Sequence, residues 1–183
     1  MWQEEEIKTP VDFESIRQKY KPEKIKFLFI AEAPPKKLNT FFYYEENASC
    51  FFWEIMKVVY PSDCSNIKTD RQQKGQFLER FKNDGFYLID VLDEPLEDTS
   101  SSNKKKQIKK SLPLLIEKIK ALISEDTNII LILKSVYNVC YERLKAEGFN
   151  VINEEAIPFP CYRWQKEFRE KLSSLLRRYG WQV

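Results

Sequence analysis

Two carboxylates stand where a folded chain does chemistry. Glu32 follows the largely apolar run Ile25-Lys26-Phe27-Leu28-Phe29-Ile30-Ala31 and precedes Ala33-Pro34-Pro35. Apolar side chains on both faces of an extended segment mark a central strand covered on both sides. Proline cannot donate to a ladder, so the strand stops there. Glu32 is thereby delivered to the carboxyl end of a buried strand, where open α/β sheets place their ligands. Asp90 repeats the arrangement: it follows Phe86-Tyr87-Leu88-Ile89 and is itself followed by Asp93, Glu94 and Pro95. An acid inside an apolar strand is costly to bury unless paired. Burial raises its pKa, whereas a nearby Lys36 or Arg163 lowers it. A protonated Asp90 donates to a carbonyl; an ionised one only accepts. The plainer alternatives are a solvated loop acid at Glu32 and a turn cap at Asp90.

Aromatic residues gather after the first acid, at Phe41-Phe42-Tyr43-Tyr44 and Phe51-Phe52-Trp53. The first cluster reads either as a lid on the core or as a stacking surface for a flat ring. In the second, Phe52, Ile55, Met56 and Val59 have helical spacing and belong to the core. The chain has no histidine, which removes every His-based triad, metal site and general base. Its four glycines assemble no phosphate-cradling loop. Cys50, Cys64, Cys140 and Cys161 show no C-x-x-C spacing and read as reduced thiols. No metal and no cofactor are expected.

These residues need elements to hold them. Phe13, Ile16 and Tyr20 share a helical face after Thr9-Pro10, giving an N-terminal arm over residues 1–24. A polar loop over 61–75 leads to a helix carrying Phe77, Leu78 and Phe81, starting near Asp70 and ended by Gly85. A polar linker, Asp98 to Ser102, precedes a helical stripe of Leu112, Leu115, Ile116, Ile119 and Leu122, with Pro113 either opening that helix or kinking a longer one. Asn128 to Leu133 form a buried strand, a helix starts at Lys134-Ser135, and Phe149 to Ile152 give a short fourth strand. A prolyl segment, Ile157 to Gln165, then enters a last helix with Phe168, Leu172, Leu175 and Leu176 inward. Alternating strands and helices predict an α/β fold: a three-layer α/β/α sandwich around a central, mainly parallel four-stranded sheet, in a single domain over 1–183.

Net charge is only +2, so any nucleic-acid surface must come from local clusters. Lys104-Lys105-Lys106 with Lys109 and Lys110 is the densest, either a solvated helix face or a phosphate contact. No apolar run can span a bilayer, and the acidic start, Met1 to Lys8, has no signal-peptide pattern. A cytoplasmic protein without membrane contact or obligate protein partner is expected.

Taken in order, Ala31-Glu32-Ala33-Pro34, Leu88-Ile89-Asp90-Val91 and Pro158-Phe159-Pro160-Cys161 resemble the uracil-DNA glycosylase superfamily. Its members carry a Gly-[Gln/Glu/Met/Ile]-x-Pro motif after the first strand, an Asn ending a middle strand, and a late His/Asn-Pro-Ser before the last helix. Glu32-Ala33-Pro34 is similar to the Glu-Ala-Pro of the thermophilic iron–sulfur branch. Leu115 to Ile119 and Ile130 to Ser135 are similar to the mismatch-specific branch. The cysteine positions differ from those of the cluster-bearing branch, which implies no cluster. Ala31, Ala33, Asp90, Phe159 and Cys161 depart from the usual pattern. The resemblance implies a DNA partner and excision of a damaged or deaminated base by hydrolysis of its N-glycosidic bond; Asp90, which as a carboxylate only accepts, turns the choice away from simple uracil or leaves the activity weak, and the alternative is an inactive, nucleotide- or nucleic-acid-binding relative. It further implies Glu32 and Asp90 as catalytic residues. Ala33, Pro34, Phe41, Phe42, Tyr43, Phe159, Pro160 and Cys161 would contact the base, and Lys36, Lys37, Arg163, Trp164 and Lys166 the DNA.

Overall fold

The computed structural model describes residues 11–47, 49–64 and 73–182. Three parallel strands lie at its centre: β1 (Phe27–Ala31), β2 (Phe86–Asp90) and β3 (Asn128–Leu131), in the order β2-β1-β3. Every residue of β1 and β2 is buried, so helices cover both faces of the sheet, as the unbroken apolar runs require. Register places Ala31 opposite Asp90 and Phe27 opposite Asn128.

Between β1 and β2 run α2 (Cys50–Val59), α3 (Pro61–Cys64) and α4 (Lys74–Asn83). Between β2 and β3 runs α5 (Ser101–Leu122). The first connection leaves β1 in one direction across the sheet and the second crosses back past β1. Right-handed crossovers then put their helices on opposite faces. That reversal creates a crevice at the carboxyl ends of β1 and β3. It is followed by α6 (Lys134–Ala146), packed on α5, and α7 (Gln165–Arg178), packed on α2. Gly85, at φ +87°, turns the end of α4 directly into β2, where a side chain would meet Lys26 and the Lys24 carbonyl.

The expected fourth strand is not a strand. Residues 151–157 run beside β3 but join it only by single bridges, Ile129 with Val151 and Ile132 with Ile157. Between them the side chain of Asn153 replaces the ladder. Its Oδ1 accepts from Leu131 N at 2.9 Å and its Nδ2 donates to Leu131 O at 3.1 Å. The amide satisfies both backbone groups of a buried residue while the chain bends away. Asn153→Ala leaves that pair without partners and should cost about 1–3 kcal/mol in chemical denaturation. Asn153→Asp, which cannot donate to Leu131 O, should fare no better.

Other boundaries move for local reasons. Ser100 caps α5, accepting from Asn103 N, so the helix begins inside the supposed linker and Pro113 sits within it. The N-terminal helix, α1 (Phe13–Gln18), starts after Asp12, whose carboxylate accepts from Ser15 N. Thr9-Pro10 and Asp70 lie outside the described residues. Among the described residues no helix is long and apolar enough to cross a membrane.

Candidate functional site

A cavity of about 240 Å³ occupies the crevice at the strand ends. Its floor comes from Ala31 at the end of β1, Glu32 and Ala33 just after it, Leu88 and Asp90 of β2, and Leu133 after β3. Its walls come from Pro35, Thr40, Phe41 and Phe42, from Ser49, Cys50 and Phe51 at the start of α2, and from Phe159 and Cys161. The structure thus brings Glu32, Ala33, Phe41, Phe42, Asp90, Phe159 and Cys161 to one cleft.

Three expected contact residues stand back from it. Tyr43 is 1% exposed and stacks on Tyr20 at 5.8 Å between ring centres. Its hydroxyl donates to Leu88 O at 3.0 Å and accepts from Leu88 N at 2.7 Å, satisfying the free edge of β2. Tyr43 is therefore an edge cap rather than a stacking ring. Pro34 and Pro160 are buried beside the cavity without lining it. The Pro160 carbonyl accepts from the Cys50 thiol at 3.0 Å.

Both carboxylates are held by partners that sequence reasoning missed. Asp90 and Arg17 of α1 form an ion pair at 2.7 Å, with side chains 6% and 2% exposed. Burial pushes the Asp90 carboxyl up, against the pull of Arg17, while the guanidinium stays charged beside it. The acid is paired, as its position in an apolar strand demands, and the cation is neither Lys36 nor Arg163. Spacing carried the signal: Phe13, Arg17 and Tyr20 share the buried face of the N-terminal helix. Glu32 takes Lys104 of α5 at 2.7 Å on Oε1, and on Oε2 it accepts from the Ser135 hydroxyl in the first turn of α6. Nothing in the basic run distinguishes Lys104 from Lys105 or Lys106 before the helix is docked.

Leu133 joins β3 to α6 at φ 83°, a left-handed conformation unfavourable for leucine. Its N–H keeps a bond to Ile157 O at 2.9 Å, and its side chain lines the cavity. Backbone held in this way clusters at binding sites. On the far wall, Phe51 and Phe159 pack with ring centres 5.1 Å apart, and Phe42 meets Phe51 at 6.0 Å.

The aromatic segment is fixed from behind by Lys74. Its ammonium group is fully buried, donates to Phe41 O at 3.2 Å and Asn47 O at 2.7 Å, and sits 4.6 Å from the centre of the Phe52 ring. Burial pushes its pKa down to about 7, against the opposing pull of Glu45. The folded value lies below the ordinary 10.5, so between these limits the unfolded chain holds the extra proton. Stability then rises with pH, at most by about 1.4 kcal/mol per unit, and is flat below the lower limit. Denaturation midpoints should show wild type gaining on Lys74→Met as pH is raised from about 7 to about 9.

The expected DNA contacts flank the mouth. Lys36 and Lys37 follow the cavity residue Pro35, and Arg163 and Trp164 follow Cys161. Arg163 lies over the Trp164 ring at 5.3 Å, and Trp164 is 45% exposed. Beside them Tyr162, at φ 54°, is 93% exposed. Among the described residues no acid pairs with Arg163 or Lys37, whereas Lys36 pairs with Glu97 at 3.0 Å and Lys166 with Glu170 at 3.8 Å. Among the described residues no three Cys, Asp or Glu side chains gather as a metal set. Comparison with protein-family models, curated proteins and solved structures gives no match.

Proposed function

We propose that the cavity receives a single base extruded from DNA and that the protein hydrolyses its N-glycosidic bond, on a damaged or deaminated base other than simple uracil. The observation that carries this reading is the cavity itself: two carboxylates from adjacent strand ends, walled by phenyl rings and sized for one flat ring system. The order of motifs resembling the uracil-DNA glycosylase superfamily, and the fold of that family as the finer description of this α/β sheet, belong to the same proposal.

In this reading Phe42 and Phe159 hold the ring, and Asp90 reads its edge. With Oδ2 engaged by Arg17, Oδ1 is the oxygen left to the base. Ionised, it accepts from an exocyclic amine or ring N–H; protonated, it donates to a carbonyl. Glu32, fixed by Lys104 and Ser135, orients water towards the sugar carbon and stabilises the positive charge that develops there. Water forms the new C–O bond, the C–N bond breaks, and the base leaves with the bonding electrons and takes up a proton. Arg163 and Lys37 contact phosphates, and Tyr162 or Trp164 fills the space that the base vacates.

One observation favours a second reading, in which the base is bound and not cleaved. Both acids are already ion-paired, and no histidine is present to steady a departing base. Duplexes carrying uracil, hypoxanthine, xanthine or alkylated bases, incubated with the protein and then cleaved at abasic sites, separate the two. Strand cleavage on a modified base supports excision. Salt-dependent binding of the same duplexes without cleavage supports the binding module. Neither cleavage nor binding by folded protein removes both.

A further inference from the structure

We propose that Cys50 and Cys161, at the wall of the cavity, are a redox pair that closes to a disulfide under a peroxide oxidant and reopens with thiol reductant. The residues are 111 apart in sequence, and the fold sets both on one wall of the cavity. The Cys50 sulfur is hydrogen-bonded to the carbonyl of Pro160, the residue directly before Cys161, which brings the two cysteines side by side. Cys50 is the first residue of α2, and its sulfur contacts the segment that carries Cys161: it donates to Pro160 O at 3.0 Å and accepts from the Gln165 side-chain amide at 3.4 Å. Cys50 is exposed and Cys161 half-buried, so an oxidant in solution reaches both.

Exposure and the Gln165 donor make Cys50 the attacking thiol. Its thiolate attacks one peroxide oxygen, the O–O bond breaks, and the departing hydroxide takes a proton to become water, leaving a sulfenic acid. Cys161 sulfur then attacks the Cys50 sulfur; the S–O bond breaks, and the hydroxide leaves as water with the Cys161 proton. Two thiols and one hydrogen peroxide give one disulfide and two waters. Burial and the Cys50 neighbour push the Cys161 thiol up, which suits the resolving role. The remaining cysteines serve as internal controls. Cys64 and Cys140 are buried, and burial pushes their thiols up to about 11 and about 12. The disulfide would tie the segment carrying Phe159 to the start of α2 and fix the aromatic wall in one position.

The test uses the wild-type chain, treated with hydrogen peroxide, alkylated under denaturing conditions and mapped by mass spectrometry. The expected result is a linked pair of peptides containing Cys50 and Cys161, lost on dithiothreitol treatment, with Cys64 and Cys140 alkylated. In Cys161→Ser, Cys50 should be trapped as the sulfenic acid by a dimedone-type reagent; in Cys50→Ser, Cys161 should remain alkylatable. Full alkylation of Cys50 and Cys161 after peroxide would overturn the proposal. So would a disulfide between two molecules, or oxidation that falls first on Cys64 or Cys140. None of these outcomes depends on whether the cavity excises a base.

Discussion

Replacing Arg17 by methionine will destabilise the protein by about 3–5 kcal/mol near neutral pH, the cost of stranding a buried charge. Asp90 is almost wholly enclosed, and its ion pair is to Arg17, at 2.7 Å. Burial already holds its carboxyl above the ordinary value, and Arg17 pulls the other way. Without Arg17 the folded-state pKa climbs further. A carboxyl raised on folding binds more protons in the folded state, so its contribution to stability falls as pH rises through the raised value. The deficit of Arg17→Met should therefore be largest at neutral and alkaline pH and shrink in acid, where Asp90 is neutral in both states. Arg17→Met with Asp90→Leu should recover much of the loss, because an apolar pair of similar bulk needs no counter-charge. Guanidinium denaturation of the three proteins across pH measures this. A pH-independent loss would show that Asp90 does not respond to Arg17.

Glu32→Gln should lower the single-turnover excision rate by about 10²–10³-fold, the usual scale for removing one preorganised electrostatic group from a transition state. The amide keeps the shape of the side chain and an acceptor for Ser135 but no longer carries the charge that balances Lys104. In the proposed complex, DNA affinity rests on phosphate contacts at the rim and should change little. An unchanged rate on a substrate that wild type cleaves would take Glu32 out of the chemistry. A parallel loss of rate and fold stability would assign it to the Lys104–Ser135 junction alone.

The strands that build the site were legible because each ends where its chemistry changes. Ala31 gives way to an acid and two prolines, and Asp90 interrupts an apolar run, so both residues are placed by local rules. Phe41 and Phe42 were placed near Glu32 because their segment follows its strand, whereas Phe159 and Cys161 were drawn to the site only by the motif resemblance. What stayed hidden was decided by long-range docking. Arg17 and Lys104 are ordinary cations in sequence and become partners only when α1 and α5 are set against the strand ends. Tyr43 could not be told from Phe41 and Phe42 until its hydroxyl found the edge of β2. The apolar run Phe149 to Ile152 satisfied the pattern of a strand, yet Asn153 supplies the hydrogen bonds that a fourth strand would have made. A side chain mimicking backbone has no periodicity to detect.

Occupancy of the cavity by one base is directly visible in a crystal structure of the protein with a duplex carrying a modified base on a 2′-fluorinated sugar, which slows departure of the base. The base should lie out of the helix, between Phe42 and Phe159, with a ring-edge atom in hydrogen-bonding distance of Asp90 and the sugar beside Glu32. A bound duplex with every base stacked and the cavity unfilled would contradict this arrangement.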